Sequence, residues 1–181
     1  MPSCYHGFIT NVLDVYLAEN PKKVLDIGIG FGKWGSLFRE YGDIFRGRFY
    51  QKDWQVQIDG IEVFESYKTP IYDFIYNNVR YGDIKMLYPE LGGYDFVYAG
   101  DVIEHLYKFE ALEVLDFFKN NTKTFVVSIP LTNVWEQGEV FGNAYEEHKS
   151  VWAESDFEGY EKIIKLNPKG KPIGLFIHRR S

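Results

Sequence analysis

The sequence contains one cysteine, no long apolar run and no excess of basic residues. Cys4 cannot form a disulfide within the chain, which favours a reducing compartment. No apolar run approaches the roughly 18 to 20 residues that a membrane-spanning helix needs. The first residues also lack the basic and apolar regions of a signal peptide. Together these absences predict a cytoplasmic protein without a membrane span.

The charge balance argues against one class of partner. The chain has 20 Lys and Arg against 26 Asp and Glu, a formal net charge of −6. Proteins that neutralise many phosphates need a basic surface, so we do not expect a nucleic-acid partner. The 181 residues contain no internal repeat or low-complexity linker and are enough for one hydrophobic core. We therefore predict a single domain over residues 1–181.

Strand-like and helix-like segments alternate along the chain. Apolar runs predict strands at 23–27, 54–63, 79–81, 94–99 and 124–129, followed by strand-like runs at 160–166 and 173–178. Helical spacing of apolar residues predicts helices within 4–19, 34–41, 71–75 and 109–118, and a Ser-x-x-Glu box predicts a short helix from Ser155. Residues 43–53 have no clear period and are interpreted as an insertion. The order predicts an α/β fold whose doubly wound, mostly parallel seven-stranded sheet ends in an antiparallel hairpin.

A glycine-rich turn follows the first predicted strand and opens a predicted helix. Gly28, Gly30 and Gly32 let a ligand approach the backbone, and the helix N-terminus offers free N–H donors. A dinucleotide-binding turn would have glycine or alanine where this chain has Lys33. The carboxylate of Asp26 suits the ammonium and sulfonium of S-adenosylmethionine better than a pyrophosphate; the alternative is that Asp26 only caps the turn.

Two further acidic positions fit a nucleoside ligand. Glu62 ends the second predicted strand, where a carboxylate can accept hydrogen bonds from both ribose hydroxyls. Asp59 is the competing residue, although it lies inside the strand. Asp83, after Gly82, could accept an adenine amino group while Ile84 covers the ring.

The segment Asp101-Val-Ile-Glu-His-Leu106 after the fourth predicted strand completes the pattern. In this order the motifs resemble the class I S-adenosylmethionine-dependent methyltransferases, which have a Rossmann-like fold. The resemblance implies the cofactor S-adenosylmethionine, with S-adenosylhomocysteine as product. It assigns the methionine end to the three glycines and Asp26, the ribose to Glu62 with Val63, and the adenine to Asp83 and Ile84. Ala99, Gly100 and Asp101 would border the amino-acid portion and the methyl group. The chain has more residues between Gly32 and Glu62 than is usual in the family, because of the insertion.

Catalytic residues are harder to assign, because holding an acceptor in line with the methyl group supplies much of the acceleration. His105 and His148 are candidate general bases, and a structural role is the alternative for each. Asp101 is a third candidate. Asp101, Glu104 and His105 match neither zinc helix motif, and residues 128–133 lack the second carboxylate of the family's metal-dependent members. We therefore predict no metal site.

The resulting hypothesis is a methyltransferase that acts on a small-molecule or glycan-type acceptor. The alternatives are a methyltransferase-like scaffold that binds the cofactor without turnover, and a nicotinamide-dependent reductase, which Lys33 and Asp26 disfavour. Aromatic residues make up 18% of the chain and either fill the core, line a pocket or form a subunit contact in a homodimer. The expected substrate walls are the N-terminal helix, the insertion around Phe45 to Trp54 and the loop from Trp135 to Trp152.

Overall fold

A computed structural model describes residues 4–131, 137–140 and 142–180, and its centre is one seven-stranded sheet. The strand order is β3-β2-β1-β4-β5-β7-β6. Strands β1 to β5 run parallel, β7 pairs antiparallel with β5, and β6 pairs antiparallel with β7. The predicted fold class is thus confirmed. The seven strands are β1 Lys23–Ile27, β2 Gln57–Glu62, β3 Asn78–Tyr81, β4 Phe96–Gly100, β5 Thr124–Pro130, β6 Glu161–Leu166 and β7 Pro172–Arg179.

Helices cover both faces of the sheet, as the alternation of strands and helices predicts. They are α1 Ile9–Glu19, α2 Lys33–Gly42, α3 Pro70–Ile75, α4 Ile84–Leu87 and α5 Lys108–Asn121. Successive residues of a strand face opposite sides, so Phe96 and Tyr98 of β4 pack in the core under α1, α2 and α3, whereas Val97 and Ala99 pack under α4 and α5. In the described ranges, no helix is long and apolar enough to cross a membrane.

Many of the aromatic residues are buried in these two cores. Buried aromatic rings include Tyr16, Phe38, Tyr98, Phe118, Phe125, Phe157 and Trp152. The aromatic side chains of the insertion behave differently: Phe45, Phe49 and Tyr50 are 77%, 68% and 68% exposed. The interpretation of a large core therefore accounts for more of the aromatic content than a pocket lining does.

The insertion delays the start of β2. It forms two short 3₁₀ turns, at Ile44–Arg46 and Gln51–Asp53, and its first residue, Asp43, is fully buried. Asp43 accepts hydrogen bonds from the backbone N–H groups of Gln55, at 2.8 Å, and Val56, at 3.4 Å. These groups therefore do not pair with a neighbouring strand, so the predicted strand at 54–63 begins only at Gln57.

The C-terminal part follows the prediction except in one turn. The hairpin of β6 and β7 forms, and Asn167 Oδ1 accepts hydrogen bonds from the backbone of Lys169 and Lys171 in its turn. The helix predicted from Ser155 is instead a 3₁₀ turn at Glu154–Phe157, where Asp156 accepts a hydrogen bond from the backbone of Ala153. The capping acid is thus Asp156, and the predicted register of the capping box is wrong.

Candidate functional site

A cavity of about 460 Å³ opens at the carboxyl ends of β1, β2 and β4. Adjacent strands β1 and β4 lead to helices on opposite faces of the sheet, so their ends diverge and leave a crevice where α/β proteins bind ligands. Its walls include Gly28, Gly30, Glu62, Val63, Asp83, Ile84, Gly100, Asp101, His105 and His148. The fold therefore brings most of the predicted site residues around one space.

The glycine loop forms one wall with its backbone. Gly28 and Gly30 both have positive φ angles, of 78° and 53°, and both line the cavity. A Cβ atom on Gly28 would lie 2.3 Å from a methyl carbon of Val102. Gly32 has a φ of 87° as well, but it is the N-cap of α2 and lies outside the described lining of the cavity. Two of the three glycines thus face the site and the third shapes the helix start.

Asp26 lies behind this loop rather than in the cavity. Its side chain is 1% exposed, and its Oδ2 atom accepts hydrogen bonds from the Tyr76 hydroxyl at 2.6 Å and the Gly35 N–H at 3.1 Å. Burial raises its pKa to about 7, although these two hydrogen bonds oppose the shift. In this position Asp26 joins β1 to α2 and α3, which supports the alternative of a residue that holds the turn.

Glu62 occupies the position expected of a ribose ligand. It is 5% exposed at the end of β2, and its two oxygens accept hydrogen bonds from the backbone N–H groups of Gly30 and Phe64, both at 2.9 Å. Burial raises its pKa. The competing Asp59 faces away from the cavity and accepts hydrogen bonds from Tyr94, Gln57 and Asn78. Only Glu62 of this pair can contact a ligand in the cavity.

The wall next to Glu62 combines an apolar and an acidic residue. Asp83 is the N-cap of α4 and accepts a hydrogen bond from the backbone of Lys85 at 3.1 Å, and the buried Ile84 follows it. The Lys85 ammonium lies 3.0 Å from Glu110 and 3.7 Å from Asp83. Lys85 therefore joins α4 to α5, and Lys85 and Glu110 line the cavity together with Asp83 and Ile84.

The N-terminal segment covers the opposite end of the cavity. The backbone N–H of Tyr5 donates to Asp101 at 2.9 Å, and the Lys33 ammonium donates to the carbonyl of Cys4 at 2.5 Å. Asp101 has a positive φ of 53°, and Ser128 donates a second hydrogen bond to it at 3.2 Å. Burial raises the pKa of Asp101, and the bond from Tyr5 opposes this. Cys4, Tyr5 and His6 all line the cavity.

Two histidines and a glutamate meet beside Asp101. The rings of His105 and His148 are 5.0 Å apart, and His105 Nδ1 lies 3.1 Å from the carbonyl oxygen of Glu147. Burial lowers the pKa of His105 to about 4, so the imidazole is neutral at pH 7. Glu104 is 1% exposed and lines the same cavity.

The loop that carries His148 also reaches the Glu62 side of the cavity. The Tyr67 hydroxyl donates to the Glu146 carboxylate at 3.2 Å, and Asn143 donates to both Tyr67 and Glu146. Tyr67, Asn143 and Glu146 line the cavity. Within the predicted loop, Trp135 and Phe141 lie outside the described residues.

Three predicted residues do not line the cavity: Asp26, Gly32 and the buried Ala99 of β4. The described lining of the cavity includes no residue of the insertion: Phe45, Phe49 and Tyr50 are exposed, and Trp54 packs on Arg39 and Phe74. Conversely, Lys33, Tyr67 and Glu104 also reach the cavity, although the sequence did not assign them to the site. His6 and Glu146 line the cavity as well, and they lie within two of the predicted substrate walls, the N-terminal helix and the loop from Trp135 to Trp152. Adjacency to the glycine loop could have indicated Lys33, but no local pattern marks Tyr67.

The comparisons with known proteins support the architecture at low sequence identity. No family model matches the sequence, and no curated protein matches it. Among solved structures, a Burkholderia thailandensis 1,6-didemethyltoxoflavin-N1-methyltransferase with bound 1,6-didemethyltoxoflavin and S-adenosylhomocysteine matches with a TM-score of 0.66 and 14% identity, over 96% of this chain and 76% of that chain.

Two further structures match with similar coverage. The N-terminal domain of EvdMO1 with SAH bound has a TM-score of 0.63 and 14% identity, over 98% of this chain and 83% of that chain. The methyltransferase domain of bacterial CtHen1 has a TM-score of 0.59 and 19% identity, over 95% of this chain and 97% of that chain. With its sheet order, glycine loop and cavity, the chain has the fold of the class I S-adenosylmethionine-dependent methyltransferases.

Proposed function

We propose that the protein transfers a methyl group from S-adenosylmethionine to a small-molecule or glycan-type acceptor. The observation that carries the proposal is the arrangement of one cavity. The glycine loop, Glu62, Asp83 with Ile84, and Asp101 surround it in the order that the parts of this cofactor require. The methyltransferase structures that match the fold, two of them with S-adenosylhomocysteine bound, support this choice of ligand.

The donor and acceptor groups of the cavity fit the cofactor. Each Glu62 oxygen accepts one backbone hydrogen bond, and because a carboxylate offers about four acceptor positions, it can also bind a ribose diol. Gly30 presents backbone without a side chain, which leaves room for the methionine part. Ile84 offers an apolar surface to adenine, and Asp83 a carboxylate to its amino group.

When bound, the cofactor supplies a methyl group on a sulfonium: the acceptor's lone pair forms the new bond, and the C–S electron pair stays on sulfur. The residues of the chain then have to position the acceptor and remove water. The N-terminal segment closes one end of the cavity through its bonds to Asp101 and Lys33. Orientation at near-attack distance, about 3 to 3.5 Å, is what such walls contribute to the rate.

The acceptor end of the cavity carries groups that can take part in proton transfer. His105 is neutral at pH 7, and with Nδ1–H donating to Glu147 its Nε2 carries the lone pair that can accept a proton from an acceptor hydroxyl or amine. A pure scaffold would not need polar side chains here. The grouping of His105, His148 and Glu104 at this end therefore favours an enzyme over a binding protein without turnover.

Ligand binding is tested by the melting temperature of the protein with S-adenosylhomocysteine or NADH. We expect S-adenosylhomocysteine at 100 times its dissociation constant to stabilise the fold by about 2.7 kcal/mol, and NADH to have no effect. Gly30→Val should abolish the shift, because a branched side chain enters the cavity. Gly170→Val is the control, because Gly170 also has a positive φ but lies in the β6–β7 turn. A shift with neither ligand would contradict the cofactor assignment.

Turnover is tested by incubating the protein with methyl-labelled S-adenosylmethionine. The acceptor is supplied as a metabolite extract or a glycan extract of the source organism. Mass-resolved transfer of the label to a defined compound, absent with Gly30→Val, is the expected result and names the acceptor class. Binding of S-adenosylhomocysteine without any labelled product would favour the scaffold.

A further inference from the structure

We infer that Glu104, His105 and His148 form a binding site for a divalent transition-metal ion at the acceptor end of the cavity. Among the described residues, these three make up the one group of histidine, cysteine and acidic side chains whose ligand atoms all lie within 4.8 Å of one another. All three line the cavity. The sequence alone predicts no metal site, because that expectation rested on local spacings and on the missing second carboxylate at residues 128–133, whereas His148 lies on a more distant loop.

The fold positions the three ligands by backbone hydrogen bonds. The carbonyl oxygen of Glu104 accepts from the N–H groups of Lys149 at 2.8 Å and Ser150 at 3.1 Å. The backbone N–H of His148 donates to the carbonyl of Gln137 at 2.9 Å. The loop is thus attached directly to the turn after β4, which keeps His148 beside its two partners.

The carboxylate of Glu104 has an unused acceptor atom. Its Oε2 is buried and has no hydrogen-bond partner among the described residues. A buried polar atom without a partner is costly, and a bound cation would satisfy it. The nearby carboxylates of Asp101 and Glu146 also act on Glu104 electrostatically. A cation here would offset this concentration of acidic groups.

The orientation of His105 suits a metal ligand. Its Nδ1 lies 3.1 Å from the carbonyl oxygen of Glu147. Ligand histidines usually donate their other ring N–H to a carbonyl or carboxylate, which fixes the tautomer and the ring orientation. With Nδ1–H donating to Glu147, Nε2 carries the lone pair that a metal ion needs.

The donor set indicates the kind of ion. Two imidazoles with one carboxylate suit Zn²⁺, Co²⁺ or Fe²⁺ better than Mg²⁺ or Ca²⁺, which prefer oxygen ligands. Tetrahedral ligands at about 2.1 Å from zinc lie about 3.4 Å from one another, so a short movement of the side chains would complete the site. Three protein ligands leave at least one position open toward the cavity, as in catalytic zinc sites.

The role of the ion rests on the proposed methyl transfer. An acceptor hydroxyl bound at the open position would lose its proton to water more readily, because the cation stabilises the resulting alkoxide. The imidazoles are then ligands rather than bases. The acceptor class narrows accordingly to compounds that present an oxygen to the metal ion.

Metal binding is tested without cofactor or substrate. The chelator-treated, full-length protein is titrated with Co²⁺ and Zn²⁺, and followed by calorimetry and by the visible d–d bands of Co²⁺. We expect one ion per chain. Glu104→Gln and His148→Ala should each weaken binding at least tenfold. His6→Ala is the matched control, because His6 lines the same cavity outside the cluster.

The outcomes separate this site from the proposed function. Loss of the Co²⁺ bands in both cluster variants, with His6→Ala unchanged and all variants still binding S-adenosylhomocysteine, would support the site. Absence of stoichiometric binding in the wild-type protein, preference for Mg²⁺, or unchanged affinity in the cluster variants would overturn it. A protein that binds Co²⁺ but not S-adenosylhomocysteine would retain the metal site while the methyltransferase proposal fails.

Discussion

The backbone N–H of Tyr5 donates a 2.9 Å hydrogen bond to Asp101, a residue 96 positions later that directly follows the central strand β4. Asp101 has a left-handed backbone conformation with a φ of 53°, which asparagine and aspartate tolerate better than most residues. Its carboxylate thus holds the N-terminal segment over the cavity. A wall of the site depends on a contact between opposite parts of the chain.

Asp101→Ala should therefore release the N-terminal segment. We expect a loss of about 1 to 3 kcal/mol in the free energy of unfolding and faster amide exchange for residues 4–8, measured by hydrogen exchange and mass spectrometry. Asp101→Asn is the control, because the amide keeps an acceptor oxygen and tolerates the positive φ. Equal protection of residues 4–8 in the wild-type protein and in Asp101→Ala would contradict this role.

Glu62→Ala should weaken the binding of S-adenosylhomocysteine about 10- to 100-fold in calorimetry. The expected loss corresponds to one net hydrogen bond to a charged group, which is worth about 1.5–3 kcal/mol. Asp59→Asn alters a carboxylate of the same strand that faces away from the cavity. The Asp59→Asn variant should bind S-adenosylhomocysteine with the affinity of the wild-type protein. A comparable loss of affinity in both variants would show that Glu62 has no specific role.

The buried Asp26 should make the stability of the protein fall as the pH rises from about 4 to about 7. Its pKa is 3.8 when exposed and about 7 in the folded chain, so between these values the folded state holds a proton that the unfolded state has lost. Unfolding then releases a proton, and stability decreases with pH. The difference amounts to about 4 kcal/mol at most.

Asp26→Asn removes this titration while it keeps an acceptor for Tyr76 and Gly35. We expect the melting temperature of the variant, relative to the wild-type protein, to rise across the same pH range in the absence of cofactor. A constant difference between the two proteins from pH 4 to pH 8 would show that Asp26 does not titrate there.

The insertion should be coupled to the core through Asp43. This buried residue lies 2.5 Å from Arg39 and 2.6 Å from Arg48. Burial alone would raise its pKa, but the hydrogen bonds from Gln55 and the two arginines outweigh burial and lower the pKa. Asp43→Ala leaves the buried Arg39 unpaired, so we expect a loss of about 3 to 5 kcal/mol in denaturant unfolding.

An exposed ion pair provides the comparison. Glu90 lies 2.7 Å from Arg80 on the surface, and Glu90→Ala should cost less than about 1 kcal/mol. If Asp43→Ala and Glu90→Ala destabilise the protein equally, the insertion does not depend on the buried pair.

The mostly parallel sheet and the position of the cavity follow from local patterns that the sequence displays. Short apolar runs alternate with helical periodicity, which favours parallel strands with covered faces. The carboxyl ends of such strands meet at one edge, so a glycine turn, Glu62 and Asp83 were expected to lie together. The cavity contains all of these positions except Gly32.

The predictions from the sequence are wrong where a side chain bonds to a distant or competing partner. Asp43 draws the backbone of Gln55 away from β2, and Asp156 takes the place of the capping acid that the Ser-x-x-Glu box assigns to Glu158. Asp26 lies in β1 as the strand pattern predicts, but its side chain is bound by Tyr76, which lies 50 residues away. Periodicity reports which face a residue occupies and not which partner it meets.

By itself the sequence determined the α/β architecture, the glycine loop and the acidic ends of β2 and β3, because each follows from residues adjacent in the chain. Only the tertiary structure decided which carboxylates face the cavity and which are buried behind it. It also decided that His148 meets Glu104 and His105, because the backbone bonds from Lys149 and Ser150 to Glu104 join segments that no local spacing relates.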